Sequence, residues 1–227
     1  MSLPLLCPAR DDLQTRASQK VKSKLAVDEL WYEPKKMAWH GTHVFGAIGA
    51  IGGNDQGVSG MIPDSDGICY LIARVFGDAN TQQFATKTFE AIDWAVSEKA
   101  NDINMPIGME TWMMAGERSV KATYSNGALM VASAGNNGKN TLHFPAGYDG
   151  CLGVAALTAD GEKADFSQFN EKVDIAAPGV SVLSIYLNGG YASATGTSHA
   201  APAVTGAITK VWSVCRQCSN TQVEQCL

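Results

Sequence analysis

From about Leu71 onward the chain alternates apolar runs with amphipathic ones, and this rhythm limits its fold more than any other feature. "ICYLIARVF" (Ile68 to Phe76) is β-branched and aromatic between two glycines and reads as a buried strand. "ATKTFEAIDWAVSEKA" (Ala85 to Ala100) puts Phe89, Ile92 and Val96 on one helical face, with Trp94 at its margin. "INMPIGM" (Ile103 to Met109), "ALMVASAG" (Ala128 to Gly135), "LGVAAL" (Leu152 to Leu157) and "VDIAAPG" (Val173 to Gly179) read as further strands. "VKATYSNG" (Val120 to Gly127) closes a helix on glycine, and the last long helix is expected from Ser198 to Trp212. "SNTQVEQCL" opens with a helix N-cap at Ser219 or Asn220. Strand and helix in alternation imply an α/β fold with a mostly parallel central sheet and helices on both faces.

Residues 1–39 do not join this rhythm and read as surface loop with a short helix, a divergent segment of the same domain. The 227 residues suit one domain, and 45% apolar residues supply a core. A net charge of −5 gives no nucleic-acid footprint. The basic run "RASQKVKSK" (Arg16 to Lys24) is diluted by polar residues and reads as a solvated loop or helix face. No run is long and apolar enough to span a bilayer, and "MSLPLLCPAR" makes a poor signal peptide, so no membrane partner is expected. "CRQC" (Cys215 to Cys218) has redox or zinc spacing but no second pair, which leaves core, disulfide or free thiols.

Chemistry concentrates in three segments. "GTSHAAPAVTG" (Gly196 to Gly206) sets Ser198 at the mouth of a helix, where the dipole favours negative charge and Pro202 is tolerated in the first turn. Alone, Ser198 would read as a cap. "HGTHVFGAIGA" (His40 to Ala50) adds a histidine at the start of a small-residue helix, and "VASAGNNG" (Val131 to Gly138) adds Asn136 after a strand end. Acyl transfer needs these types together: a nucleophile, a base, and an amide for the oxyanion. A nucleotide site is disfavoured because "GAIGAIGG" lacks the G-x-G-x-x-G order, and an α/β-hydrolase because Gly196 to Ala200 does not complete the G-x-S-x-G frame. His40 and His43 form a pair at helical spacing without a further ligand cluster.

These segments resemble the histidine, oxyanion-asparagine and serine motifs of the subtilisin-like serine peptidases, the subtilases, in the family's order. "GVSG" (Gly57 to Gly60), "INMPIG" (Ile103 to Gly108), "FPAGYDGCLGVAAL" (Phe144 to Leu157), "ADFSQF" (Ala164 to Phe169) and "DIAAPGVSVLS" (Asp174 to Ser184) resemble the intervening blocks. The resemblance covers His40 to about Ser213. It implies a three-layer fold and a serine endopeptidase working through an acyl-enzyme, with His40 as base, Ser198 as nucleophile and Asn136 in the oxyanion hole. It places an extended polypeptide substrate beside Pro106, Ile107 and Gly108 and beside Ser133, Ala134 and Gly135. Met109, Trp112, Met113 and Met114 are either an apolar groove or core.

The resemblance has gaps. "ARDDL" (Ala9 to Leu13) matches a turn that follows the family's catalytic aspartate, which would fall near Leu3, and no such motif is present. The chain therefore reads as truncated at both ends, as a catalytically impaired pseudoenzyme or peptide-binding module, or as one whose acid is Asp11, Asp12, Asp28 or Glu33. His199 stands where the family usually has methionine, and Phe45 where it has a small residue. "AIGGNDQGV" (Ala50 to Val58) resembles the family's calcium loop; Ile51, Asn54, Gln56 and Val58 match its ligands and Asp12 the completing carboxylate. No cofactor is required, a structural calcium is implied, and the resemblance suggests a secreted or vacuolar/lysosomal location.

Overall fold

A computed structural model describes residues 2–7, 20–25, 38–64, 67–75 and 81–227; for 2–7, 20–25, 38 and 81–83 the description is of the backbone alone. The strands are β1 (Ser2–Cys7), β2 (Lys20–Leu25), β3 (Cys69–Arg74), β4 (Asp102–Met105), β5 (Leu129–Ser133), β6 (Cys151–Leu157), β7 (Ile175–Pro178), β8 (Val182–Ile185) and β9 (Tyr191–Ala194). The helices are α1 (Ala38–Gly49), α2 (Thr81–Ser97), α3 (Met114–Ser125), α4 (Thr197–Val214) and α5 (Asn220–Glu224). Seven strands form one sheet in the order β2-β3-β1-β4-β5-β6-β7, and β8 and β9 form a separate hairpin. β2 with β3, and β4 through β7, pair in parallel. β1 runs antiparallel between β3 and β4.

The parallel strands are covered on both faces, so their residues serve two cores in turn. On β5, Met130 and Ala132 join a cluster with Leu71, Ile103, Phe89, Ile92 and Val120, the layer under α2 and α3. Leu129 and Val131 join Val154, Ala200, Val204, Ile208 and Trp212, the layer under α4. Each fully buried aliphatic contributes about 1.5–3 kcal/mol relative to exposure. β4 divides in the same way. Ile103 and Met105 enter the first core, while Thr209 Oγ1 donates to Asp102 Oδ2 at 2.8 Å and Thr205 Oγ1 to Asn104 Oδ1 at 3.0 Å. Those two bonds register α4 on the sheet.

The C-terminal two thirds follow the sequence expectations with shifted ends. The long amphipathic helix starts at Thr81 rather than Ala85, and β4 stops at Met105 rather than Met109. Ser219 supplies a full capping box to α5, its side chain accepting from Gln222 N. Pro202 is the sixth residue of α4, not part of its first turn, so it removes the amide that would bind the Ser198 carbonyl.

Residues 1–39 required the largest correction. Where loop and a short helix were expected, Ser2–Cys7 and Lys20–Leu25 are strands. "KVKSKL" alternates lysine with other residues at a period of two, a sequence pattern common in edge strands, and β2 is at the edge of the sheet. Leu3, where the acid was expected, lies on β1 and pairs with Ala73 of β3. Asp11, Asp12, Asp28 and Glu33 lie outside the described residues. "CRQC" is a disulfide, Cys215–Cys218, closing the C-terminal end of α4.

Candidate active site

The carboxyl ends of parallel strands open onto a crevice in sheets of this kind, and the proposed site residues collect there. Ser198 is the second residue of α4, Asn136 follows β5, Pro106 follows β4, and His40 is the third residue of α1. Gly196 precedes α4 at φ 152° and ψ 161°, a region essentially restricted to glycine. A methyl group there would lie 3.5 Å from Asn136 Nδ2 and 3.8 Å from His199 Cδ2. The glycine conformation sets the entry of α4 beside the Asn136 loop.

Thr197 locks the amide. Its backbone N–H and its hydroxyl both donate to Asn136 Oδ1, each at 2.9 Å. Since a backbone N–H can only donate, the atom it meets must be the oxygen, and Nδ2 is thereby assigned as the free donor. The Thr197 hydroxyl also accepts from Gly135 N at 3.2 Å. No role for Thr197 was read from the sequence; its place in "GTS" is the one signal that could have suggested it. Ser198 Oγ donates to the Pro106 carbonyl at 2.8 Å, which ties the hydroxyl to one of the two expected substrate segments.

His40 is buried at 5% exposure, and its Nδ1 has no hydrogen-bond partner among the described residues. Burial, more than any other cause, lowers its pKa to about 4. Its ring lies 5.3 Å from that of His199, the residue after Ser198. His199 meets His43 edge-on at 4.5 Å and stacks with Trp39 at 6.2 Å. Burial lowers the His199 pKa to about 3, with His43 and His40 adding to the effect, so the ring is neutral. His43 Nε2 pairs with the Ala192 carbonyl at 3.0 Å, and Ser184 Oγ donates to the His43 carbonyl at 2.7 Å. His43 therefore pins the β8–β9 hairpin to α1. Phe45 packs edge-on against Tyr70 at 5.0 Å, filling space that a small residue would leave.

The expected substrate segments, Pro106–Gly108 and Ser133–Gly135, run side by side, with Ser133 Oγ donating to the Ile107 carbonyl at 3.4 Å. Ile107 is 4% exposed and packed in the core, so it offers backbone rather than side chain. The methionine question divides. Met109 and Met113 pack against the core, whereas Trp112 and Met114 are about half exposed.

In the loop matched to a calcium site, Asn54 Oδ1 accepts from Gln56 N at 3.1 Å, which uses one of its two lone pairs in a local turn. Ile51, Gln56 and Val58 could add neutral oxygens only, and Asp12 lies outside the described residues. Among the described residues no group of three or more His, Cys, Asp or Glu could hold a metal ion. The described part of the loop does not by itself meet calcium's demand for six to eight oxygens including carboxylate.

A helix-borne serine, a buried imidazole near it and a threonine-locked carboxamide lie together at the carboxyl edge of a parallel sheet. The model of the subtilase family (Peptidase_S8) matches residues 9–227, and the chain belongs to that family. It is 36% identical over 186 residues to the thermostable alkaline protease of Halalkalibacterium halodurans, covering 82% of this chain and 50% of that protein. It is 34% identical over 184 residues to Subtilisin Savinase of Lederbergia lenta, covering 81% and 66%. The chain thus spans about half the length of the first relative. Among solved structures, Sphericase is similar at a TM-score of 0.70 and 33% identity, covering 83% of this chain and 68% of that one. The self-cleaved protease domain of PatA is similar at 0.75 and 28%, covering 91% and 77%.

Proposed function

We propose that the chain carries the catalytic machinery of a serine endopeptidase. The Ser198 hydroxyl turns from the Pro106 carbonyl and loses its proton to His40 as Oγ attacks the scissile carbonyl carbon. The carbonyl π electrons move to oxygen, which then accepts hydrogen bonds from Asn136 Nδ2 and the Ser198 N–H at the positive end of α4. Collapse expels the amine, which takes the proton back from His40. Water then repeats the sequence on the acyl-enzyme, releasing the acid and restoring the Ser198 hydroxyl. The substrate lies extended beside Pro106–Gly108 and Ser133–Gly135, recognised through backbone pairing. The observation that carries this reading is the double donation from Thr197 to Asn136 Oδ1, which frees Nδ2 beside the mouth of α4.

One observation favours a second reading, a catalytically impaired subtilase or peptide-binding module. Among the described residues the buried His40 Nδ1 has no partner, where a triad acid would hold it. Loss of that acid costs a subtilisin about 3 × 10⁴ in turnover. Calcium at Ile51, Asn54, Gln56, Val58 and Asp12, and export from the cell, are parts of the proposal carried by family membership. No helix among the described residues is long and apolar enough to cross a membrane.

An alkyl fluorophosphonate separates the two readings. The peptidase reading expects covalent labelling at Ser198, abolished in Ser198→Ala and strongly slowed in His40→Ala. Asn136→Ala is expected to slow acylation by about 10²- to 10³-fold. A folded chain that stays unlabelled over long incubation supports the binding module.

A further inference from the structure

His40 and His199 each carry a buried nitrogen that no hydrogen bond among the described residues satisfies, and in both rings it is Nδ1. Ser198 and His199 are consecutive on α4, so their side chains leave the helix about 100° apart. Ser198 turns to the Pro106 carbonyl in the crevice, and His199 turns to α1. There its ring is 3% exposed, stacked on Trp39 at 6.2 Å and met edge-on by His43 at 4.5 Å. His43 is itself anchored, since its Nε2 can bond the Ala192 carbonyl only as a donor. The His199 ring is thus held in place beside the base, with an unused nitrogen.

Chemistry assigns the protons. As a base, His40 offers the Nε2 lone pair to Ser198, so its proton sits on Nδ1 and needs an acceptor. His199 can be that acceptor through its own Nδ1, with its proton on Nε2. In the resting geometry the two nitrogens are not bonded to each other. The ring centres stand 5.3 Å apart with the planes tilted by 47°. Two imidazoles whose facing nitrogens hydrogen-bond need a separation of about 5 Å, so a turn of the rings closes the contact. Burial lowers the His199 pKa to about 3, below that of His40 at about 4. His199 therefore stays neutral, and a proton shared between the rings stays on His40. The methionine usual at this place in the family offers only a weakly accepting thioether.

We propose that His199 is a positioning residue whose Nδ1 accepts a hydrogen bond from His40 Nδ1–H while His40 takes the proton from Ser198, so that a serine and two histidines act as one unit. The inference rests on the peptidase reading. The Ser198 proton goes to His40 Nε2, and the Nδ1 proton remains on His40 throughout. The bond is charge-assisted while His40 is an imidazolium, and it weakens when the leaving amine takes the proton back. An interaction that strengthens as charge appears favours the transition state over the resting enzyme.

The test measures fluorophosphonate labelling of Ser198 by mass spectrometry on the wild type, His199→Met and His199→Asn, each checked for a cooperative melt. Asparagine places a carbonyl oxygen where Nδ1 stands; methionine fills the space without a comparable acceptor. His199→Met is expected to label about ten-fold more slowly or worse, the loss of one hydrogen bond to a charged group. His199→Asn is expected to stay within about three-fold of the wild type. A merely structural role would slow His199→Asn at least as much as His199→Met, since the smaller side chain leaves a cavity. That result, or equal rates in all three proteins, overturns this inference alone. Histidine side-chain NMR on the ¹⁵N-labelled wild type reads the tautomers without any variant, and it decides if a variant fails to fold. The proton is expected on Nδ1 of His40 and on Nε2 of His199; a proton on Nδ1 of His199 overturns the inference whatever the rates. A wild type that fluorophosphonate does not label overturns the peptidase reading and this inference with it.

Discussion

His40, Ser198 and Asn136 stand out in sequence because each sits in a short block of small residues whose purpose is close approach. Thr197 and Trp39 do not, because their roles exist only as contacts across the chain. Trp39 and His199 show what that hides. Both rings pack against that of the buried His40, and His43 packs behind them. A buried imidazole resists protonation, and His40 titrates at about 4 where an exposed one does so near 6.5. The neutral ring is the form that accepts a proton from Ser198. Fluorophosphonate labelling is therefore expected to stay level from pH 8 down to about 5 and to fall only near pH 4. A midpoint near 6.5 in the labelling profile would contradict the burial of His40 as the controlling influence.

At the scale of elements, strands and helices after Leu71 were legible because a sheet covered on both faces leaves unbroken apolar runs. The β8–β9 hairpin was missed, although "LNGG" between Val182–Ile185 and Tyr191–Ala194 is a turn signal. β1 and β2 were missed for another reason: their short, mixed sequences acquire meaning only from β3 and β4 beside them. Register between elements depends on small residues. A methyl at Gly206 on α4 would collide with Met61 Cβ and lie 3.0 Å from its Cγ. The Met61 backbone is itself bonded to α1 through Met61 N and the Ala47 carbonyl, so it cannot easily withdraw. Gly206→Ala is expected to destabilise the fold by about 1–3 kcal/mol through overpacking, despite alanine's higher helix propensity. Urea unfolding measures this, and a stabilised variant would show that α4 can shift freely on its neighbours.

Across the whole molecule the four histidines share one condition. Burial lowers the pKa of His40, His43, His143 and His199, those of His40 and His199 to about 4 and 3. Unfolding returns them to about 6.5, so between there and pH 4 the unfolded chain binds up to four more protons on imidazoles. Two acids, the buried Asp102 and the exposed Asp174, act the other way. Burial raises Asp102 to about 7, so it releases its proton on unfolding in the same window, and partial desolvation raises Asp174 in the same direction. The imidazoles outnumber them, and because the unfolded state binds more protons, stability must fall as pH falls from 6.5 toward 4. His199 is the imidazole whose pKa is lowered furthest, and an apolar chain of similar length can take its place among the rings. His199→Met is expected to reduce the slope of unfolding free energy against pH near pH 5 by about 1.4 kcal/mol per pH unit, one proton's worth. Urea titrations at pH 7, 6 and 5 on both proteins give the slopes directly. Equal slopes would mean that His199 binds its proton without unfolding, and that the ring cluster beside Ser198 opens in the native state.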